Sequence, residues 1–182
     1  MTEQRLAPAL PPHTPAIDKA LGQLMPPGVE PLRLFRTLAH NPRVLERFLA
    51  GGLLDKGSIT LRDRELAILR TTARCGSEYE WGVHVAFFSA RAGLSADEVR
   101  ATCARELPAG VFGEHDRALL ALCDSLHERA DVDDALWRRV AAEFAPDQIV
   151  ELVVLAGFYH TVSFATNALR IELEAGAPRF PA

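Results

Sequence analysis

Apolar residues recur at helical spacing along most of the chain. From Leu32 onward, the stretches 34–38 and 44–49 each place apolar side chains three to four positions apart, as on one face of a helix. Asn41 and Pro42 separate the two stretches, which is typical of the point where one helix ends and the next begins. No segment alternates apolar and polar residues between hairpin turns. The pattern therefore predicts an all-α fold.

Helix-start signals divide the rest of the chain. Three pairs of residues have the spacing of a capping box: Thr60 with Asp63, Ser77 with Glu80, and Ser95 with Glu98. In such a box the first side chain and the acid three positions later cap each other's backbone. Asp133 and Pro146 mark two further helix starts. The run from Pro146 to Glu174 is apolar on most sides, which is typical of a helix in the core or in a subunit interface.

The first 31 residues differ from the others because they hold seven of the 12 prolines. Proline lacks a backbone donor and interrupts regular structure. We therefore predict a Pro-rich N-terminal arm over residues 1–31, with at most a short helix around residues 17–24. A single helical domain is predicted over residues 32–178. Such an arm is expected either to fray or to lie on a neighbouring subunit.

Composition narrows the classes of function. A chain of 182 residues with 48% apolar residues suits one domain with a modest core. A net charge of −4 without long charged runs argues against a nucleic-acid partner. Cys75, Cys103 and Cys123 form neither a CxxC pair nor a Cys/His cluster with zinc spacing, so we expect no metal and no cofactor. Without a signal pattern or an apolar run long enough for a bilayer, we expect a cytoplasmic protein with no membrane partner.

The segment 65–84 holds the candidates for chemistry. Glu65 and His84 lie on two consecutive predicted helices joined by a tight turn at Gly76. Glu80 precedes His84 by four residues, so both side chains project from the same helix face. Two acids and an imidazole in an apolar setting suit proton transfer. We therefore predict Glu65, His84 and Glu80 as catalytic residues.

Simpler explanations stay open for this segment. A lone buried histidine is more often a satisfied core residue than a catalyst, and Glu80 could serve only as the cap partner of Ser77. Tyr79 and Trp81 could be packing residues, although together with Ser77 they are our candidate substrate-pocket residues. The two acids and the histidine could also bind a divalent ion, but Glu-x-x-x-His is a pattern of low specificity.

Four segments carry motifs of a known family. They read Arg64-Glu65-x-x-Ile68-Leu69-Arg70, Cys75-Gly76-Ser77-x-Tyr79-Glu80-Trp81-x-x-His84, Ala92-Gly93-Leu94-Ser95 and Tyr159-His160-x-x-x-Phe164-x-x-Asn167. Together these motifs resemble those of the carboxymuconolactone decarboxylase family, which includes the alkylhydroperoxidase D-like proteins. The resemblance covers roughly residues 35–175. It implies an all-helical core that usually assembles as a trimer or a hexamer.

The resemblance also separates two branches of that family. In the peroxidase branch, a glutamate, a CxxC pair and a histidine form a relay. By resemblance the glutamate matches Glu65 and the histidine matches His84, whereas the two cysteines fall on Ser77 and Glu80. Peroxide reduction by that route needs one thiol to attack and a second to resolve. The chain therefore resembles the decarboxylase-like branch more closely.

We accordingly expect a cofactor-independent, decarboxylase-like lyase that acts on a small carboxylated ring or lactone. Loss of CO₂ leaves a carbanion, for which His84 is the expected general acid, oriented by Glu65, with Glu80 as a second acid or base. Arg70 and Arg74 are the nearest arginines for holding the substrate's carboxylate. The alternatives are a non-catalytic oligomeric binding protein and a peroxidase relative without its redox cysteines. We expect a homo-oligomer with a small-molecule substrate.

Overall fold

The computed structural model describes residues 4–26 and 28–181. Residues 1–3 and Pro27, which belong to the predicted arm, lie outside this part of the chain. The described residues form helices and no strand: α1 Pro15–Gly22, α2 Arg33–Leu38, α3 Pro42–Ala50, α4 Leu61–Arg74, α5 Glu78–Phe88, α6 Ala96–Ala101, α7 Glu114–Arg129, α8 Asp134–Glu143 and α9 Pro146–Ala168. The predicted all-α fold is confirmed.

Helix α4 lies at the centre of the fold. It packs against α5, α7 and α9, and α7 packs in turn against α8. The four residues from Leu66 to Leu69 are completely buried, as are Leu119 and Leu120 of α7 and Leu155 of α9. Each such side chain contributes roughly 1.5–3 kcal/mol when it leaves water. These helices therefore form the rigid base on which the candidate site residues are mounted.

The turn between α4 and α5 sets the relation of the two helices that carry the predicted site. Gly76 has a φ of +65°, a left-handed conformation that glycine adopts without strain. The Ser77 N–H donates to the carbonyl of Thr72 at 2.9 Å, and the Gly76 N–H donates to that of Ala73 at 3.0 Å. This pair of bonds is a Schellman motif. The predicted tight turn is confirmed.

Local capping explains where several helices begin. Two of the three predicted capping boxes form: Thr60 with Asp63 and Ser95 with Glu98. The prediction for Ser77 and Glu80 is wrong, because the Ser77 side chain makes no capping hydrogen bond. Its hydroxyl lies 2.7 Å from that of Thr166 on α9, while Glu80 turns towards His84. A tertiary contact has replaced the local one.

The described part of the N-terminal arm packs on its own chain. Ile17 and Leu21 of α1 are buried in a small cluster with Ala39 and Leu45. The backbone N–H of Ala9 donates to the carbonyl of Arg36 at 3.0 Å. In the structure this segment lies against its own chain, because two apolar residues one helical turn apart pack it against α2 and α3.

Helix α9 belongs both to the core and to the surface. It begins at Pro146 as predicted but ends at Ala168 rather than at Glu174. Among the described residues it is the one helix whose length and composition would suit a membrane span, which corrects the expectation that its apolar run is too short. Its packing against four other helices equally accounts for that apolar composition. Less than half of its most apolar stretch is buried.

The exposed face of α9 leads to an expectation about assembly. Val154 is 54% exposed and Phe164 is 66% exposed on this helix, and large apolar side chains left exposed together can mark an interaction site. We expect it to join copies of the chain into a closed homo-oligomer. Val154→Lys combined with Phe164→Glu should therefore yield monomers, measured by light scattering on a size-exclusion column.

A matched control tests the position of the charge rather than its presence. Val44 lies on α3 and is 39% exposed, so Val44→Glu should leave the assembly unchanged. Circular dichroism shows whether each variant is folded. A wild-type monomer at micromolar concentration would contradict the expectation.

Candidate active site

A buried imidazole lies between two carboxylates in the centre of the molecule. His84 Nδ1 lies 2.7 Å from Glu65 Oε2, and its Nε2 lies 3.4 Å from Glu80 Oε1. The same Nε2 lies 3.0 Å from the hydroxyl of Tyr159. All four side chains are buried. The structure thus brings the three predicted catalytic residues together and adds a fourth group from α9.

Electrostatics determine the charge of this imidazole. Burial by itself lowers the pKa of His84, but the hydrogen bonds and negative charges of Glu65 and Glu80 outweigh it and raise that pKa to about 9. At neutral pH His84 is therefore an imidazolium, and both of its ring nitrogens donate. Burial, and after it the charges of the two acids, raises the pKa of Tyr159 well above its ordinary value. Tyr159 thus keeps its proton while its oxygen accepts from His84.

Arg64 completes the charge balance of the cluster. Its Nε lies 3.0 Å from Glu65 Oε1, and its Nη1 donates to the carbonyl of Leu54 at 2.7 Å. The guanidinium lies 5.4 Å from the centre of the Phe88 ring, and that ring packs against His84. Two cations thus face two acids. This pairing matters because an uncompensated charge in the interior costs several kcal/mol.

An apolar cavity of about 400 Å³ has Glu80 and Tyr159 among its lining residues. Its apolar walls come from the segment after α1, from α2 and α3, from the loop after α3 and from α9: Leu24, Leu34, Phe35, Phe48, Leu49, Leu53, Phe158 and Val162. Among the described lining residues, Glu80 and Asp55 are the only charged ones. The volume suits a small molecule. His84 lies behind this surface, one hydrogen bond away from the cavity.

The predicted substrate-pocket residues Ser77, Tyr79 and Trp81 lie elsewhere. None of them is among the described residues that line this cavity. Ser77 contacts α9, the Tyr79 hydroxyl donates to Glu174 at 2.6 Å, and the Trp81 indole donates to the Thr102 hydroxyl at 3.0 Å. These bonds hold α5 against the surrounding chain. The geometry therefore gives the three residues a packing role and does not support their assignment to the pocket.

Arg70 and Arg74, the candidates for holding a substrate carboxylate, face α7 instead. Two nitrogens of Arg70 donate to Asp124, each at 2.7 Å, and its Nη1 donates to the backbone carbonyls of Thr102 and Ala104. Arg74 lies 3.3 Å from Asp124 and also pairs with Glu128. Neither arginine lines the cavity. Neither candidate is therefore placed to hold a substrate carboxylate in this cavity, because both pair with acids of α7.

Tyr159 is absent from the predicted site residues, although it belongs to the family-like motif of the last helix. The sequence did contain a sign of its role: Tyr159 lies in the most apolar predicted helix, and a buried tyrosine hydroxyl requires a hydrogen-bond partner. The identity of that partner depends on how α9 is rotated against α5.

A metal ion shared by Glu65, Glu80 and His84 does not fit this geometry, because the two acids lie against opposite nitrogens of the imidazole ring.

The comparisons with known proteins concern the family and the fold. Residues 41–123, which include Glu65, Glu80 and His84, match the carboxymuconolactone decarboxylase family. The family resemblance inferred from the sequence motifs is therefore confirmed over these residues. A search of curated proteins returns no significant match.

Solved structures share the fold at low sequence identity. A peroxidase-related protein from a Silicibacter species has a TM-score of 0.82 at 16% identity, over 100% of both chains. An alkylhydroperoxidase AhpD core protein from Ralstonia eutropha has a TM-score of 0.72 at 14% identity, over 95% of each chain. The debrominase Bmp8 in complex with 2,3,4-tribromopyrrole has a TM-score of 0.71 at 16% identity, over 96% of this chain and 94% of that chain. These likenesses establish an AhpD-like fold.

The charge of His84 should make stability depend on pH. Its pKa of about 9 in the folded chain lies above the value of roughly 6.5 expected when unfolded. The protonated imidazole therefore stabilises the fold fully below about pH 6.5, and this contribution is lost as the pH rises through about 9. Urea unfolding across this range should show a loss of up to about 3 kcal/mol that is missing in His84→Asn.

Nuclear magnetic resonance provides the direct check on the same variant series. The ring protons of His84 should titrate near pH 9 in the wild type and at lower pH in Glu65→Gln, which lacks the stronger anionic partner. A wild-type His84 that titrates at or below its ordinary pKa would contradict this account of the cluster.

Proposed function

We propose that this protein is a cofactor-independent acid–base enzyme that transfers protons on a small lactone or carbonyl-bearing ring. One observation carries the proposal. Glu80 and Tyr159 are among the residues that line the apolar cavity, and both side chains lie against the Nε2 atom of the His84 imidazolium. A base, an acid and a buried source of positive charge are thereby presented to a small apolar site.

These two groups of the cavity lining have complementary roles. The Glu80 carboxylate removes a proton from the carbon beside the ring carbonyl and returns it after the bond change. Tyr159 donates its hydroxyl proton as a hydrogen bond to the carbonyl oxygen, on which negative charge develops in the enolate. Because the Tyr159 oxygen accepts a hydrogen bond from the imidazolium, its own hydrogen is a stronger donor.

Glu65 and His84 act behind these groups. His84 does not line the cavity, so it polarises Tyr159 and neutralises charge rather than touching the substrate. Glu65 fixes the orientation of the ring through Nδ1. This revises the expectation that His84 is itself the general acid: we now assign Glu80 and Tyr159 as the catalytic residues and Glu65 and His84 as positioning residues.

The charge of the cavity distinguishes the two expected classes of substrate. A carboxylated ring would reach the same enolate by losing CO₂, with the electron pair of the broken C–C bond passing into the ring carbonyl. However, the described lining contains no arginine or lysine, and a carboxylate there would meet the carboxylate of Glu80. We therefore favour a neutral lactone or cyclic ketone and an isomerase-type shift of the proton.

The binding-protein alternative is favoured by one feature of the site. The Glu65–His84 pair is completely internal, as a purely structural ion pair would be. In that case its loss would leave a buried partner unpaired at a cost of about 1–3 kcal/mol. It would not alter the chemistry of the folded fraction.

Substitution of the two catalytic residues tests the enzyme hypothesis. Tyr159→Phe and Glu80→Gln should each lower kcat by about 10² to 10⁴, measured on a lactone found by screening for ligands that raise the melting temperature. Tyr79→Phe is the matched control, because it removes a buried tyrosine hydroxyl outside the cavity. It should change stability but not turnover per folded molecule.

The positioning pair gives a second arm of the same experiment. Glu65→Gln and His84→Asn should each lower kcat, and the double variant should be scarcely worse than the more damaging single one, because the pair acts as a unit. A neutral methyl ester should bind better than its free acid. Variants of Tyr159 and Glu80 that turn over normally once folded would refute the catalytic proposal and favour the binding protein.

Thiol-dependent peroxidase activity should be absent. Ser77 and Glu80 occupy the two positions of the CxxC pair by resemblance, and no cysteine is among the described residues of the cavity. Burial also raises the pKa of Cys75, which disfavours the reactive thiolate. A dithiol-coupled assay with an organic hydroperoxide should show no enzymatic rate. Turnover that disappears in Cys75→Ser would contradict this expectation.

A further inference from the structure

A second cluster of reactive side chains lies outside the cavity. Cys75 Sγ, a ring nitrogen of His127 and a ring nitrogen of His160 all lie within 4.8 Å of one another, and the three residues are half-buried. Cys75 ends α4, His127 lies in the last turn of α7, and His160 lies on α9. None of them lines the apolar cavity. The large sequence separations explain why no local zinc motif was found.

We propose that Cys75, His127 and His160 bind a zinc ion, with a water molecule as the fourth ligand. One thiolate and two imidazoles form a ligand set typical of Zn²⁺, whereas Mg²⁺ and Ca²⁺ require oxygen ligands. This site is independent of the acid–base function proposed for the cavity. It contradicts the expectation that the chain binds no metal.

Two of the three distances between the ligand atoms match the edges of a zinc tetrahedron, and the third is within 4.8 Å. With Zn–N of about 2.05 Å and Zn–S of about 2.3 Å, two nitrogens at the tetrahedral angle lie about 3.3 Å apart. A nitrogen and a sulfur then lie about 3.6 Å apart. His127 Nδ1 lies 3.1 Å from His160 Nε2 and 3.6 Å from Cys75 Sγ. Small side-chain rotations would therefore suffice to admit the ion.

Neighbouring groups orient the ligands. His160 Nδ1 lies 2.8 Å from the carbonyl of Ala156, so this nitrogen carries the hydrogen and Nε2 presents its lone pair to the cluster. The Asn167 side chain donates to the carbonyl of Cys75 at 2.9 Å and steadies the end of α4. Such backbone and amide partners are typical of metal sites, in which they fix the tautomer and the ring orientation.

In the chain without an ion, a hydrogen bond between His127 and His160 accounts for the short distance between their rings. Two ring nitrogens 3.1 Å apart share one hydrogen, which His127 Nδ1 donates to His160 Nε2. Zinc would replace this hydrogen, which moves to His127 Nε2, and would release the proton of the Cys75 thiol to solvent. The competing explanation is a hydrogen-bonded cluster that binds no ion.

Zinc at this point would join the C-terminal ends of α4 and α7 to α9. Helices α4, α7 and α9 pack against one another, and α4 and α9 also carry Glu65 and Tyr159. An ion that binds only the folded chain raises the melting temperature by mass action. Addition of zinc to metal-stripped protein should therefore stabilise it, whether or not a substrate is known.

The first test uses the wild-type protein alone. Metal-stripped chain should bind one Zn²⁺ in a calorimetric titration, and Co²⁺ in its place should give a thiolate-to-cobalt charge-transfer band with the visible bands of a tetrahedral ion. Zinc should also protect Cys75 from alkylation while Cys103, which is half-buried elsewhere, keeps its reactivity, as read by mass spectrometry. Absence of zinc binding, or equal alkylation of Cys75 with and without zinc, would overturn the proposal.

The second test uses matched variants. Cys75→Ala, His127→Ala and His160→Ala should each weaken zinc binding by more than the roughly 10- to 100-fold that losing an orienting partner costs. Cys103→Ala and His115→Ala are the controls, and they should bind zinc like the wild type. Zinc affinity that is unchanged in Cys75→Ala would place the ion elsewhere and refute the site.

Discussion

Helix α4 is buried along most of its length, and every ionisable side chain that it carries into the interior has to be paired. Glu65 pairs with Arg64 and His84, whereas Arg70 forms a two-bond fork with Asp124. Removing one partner of such a pair typically costs about 3–5 kcal/mol, because the other charge remains buried. The requirement therefore fixes how α5 and α7 lie against α4, beyond what apolar packing alone would specify.

The candidate active site is a consequence of this pairing. His84 is drawn towards Glu65 on one edge, and its other edge is then directed at Glu80 and Tyr159. The positive charge needed to balance the two acids lies behind the cavity instead of in its wall. Among the described lining residues, the cavity is apolar apart from Glu80, Asp55 and Tyr159. A neutral ring with one carbonyl group suits these walls better than an anion does.

Residues of α9 that are close in sequence lie in three different environments. Tyr159 faces the cavity, His160 faces Cys75 and His127, and Phe164 is exposed to solvent. Consecutive residues of a helix point about 100° apart, so one uninterrupted helix can supply all three faces. A shift of α9 by one residue would displace the tyrosine from His84. This dependence explains why α9 is anchored by its contacts with α4, α5, α7 and α8.

Local patterns in the sequence were enough to predict the helical fold, the turn at Gly76, two of three capping boxes and the pairing of Glu65 with His84. Each of these depends on residues within about four positions, or on two helices joined by one short turn, where the backbone leaves little choice. Only the tertiary structure determined which side chains face each other between helices that are distant in sequence. In the folded chain Ser77 contacts α9 instead of capping α5, and Arg70 forms an ion pair with α7. Tyr159 lines the cavity, and Cys75 lies beside two histidines. The reason is physical: the direction of a side chain across an interhelical contact depends on the rotation of both helices, which is set by the packing of the whole core.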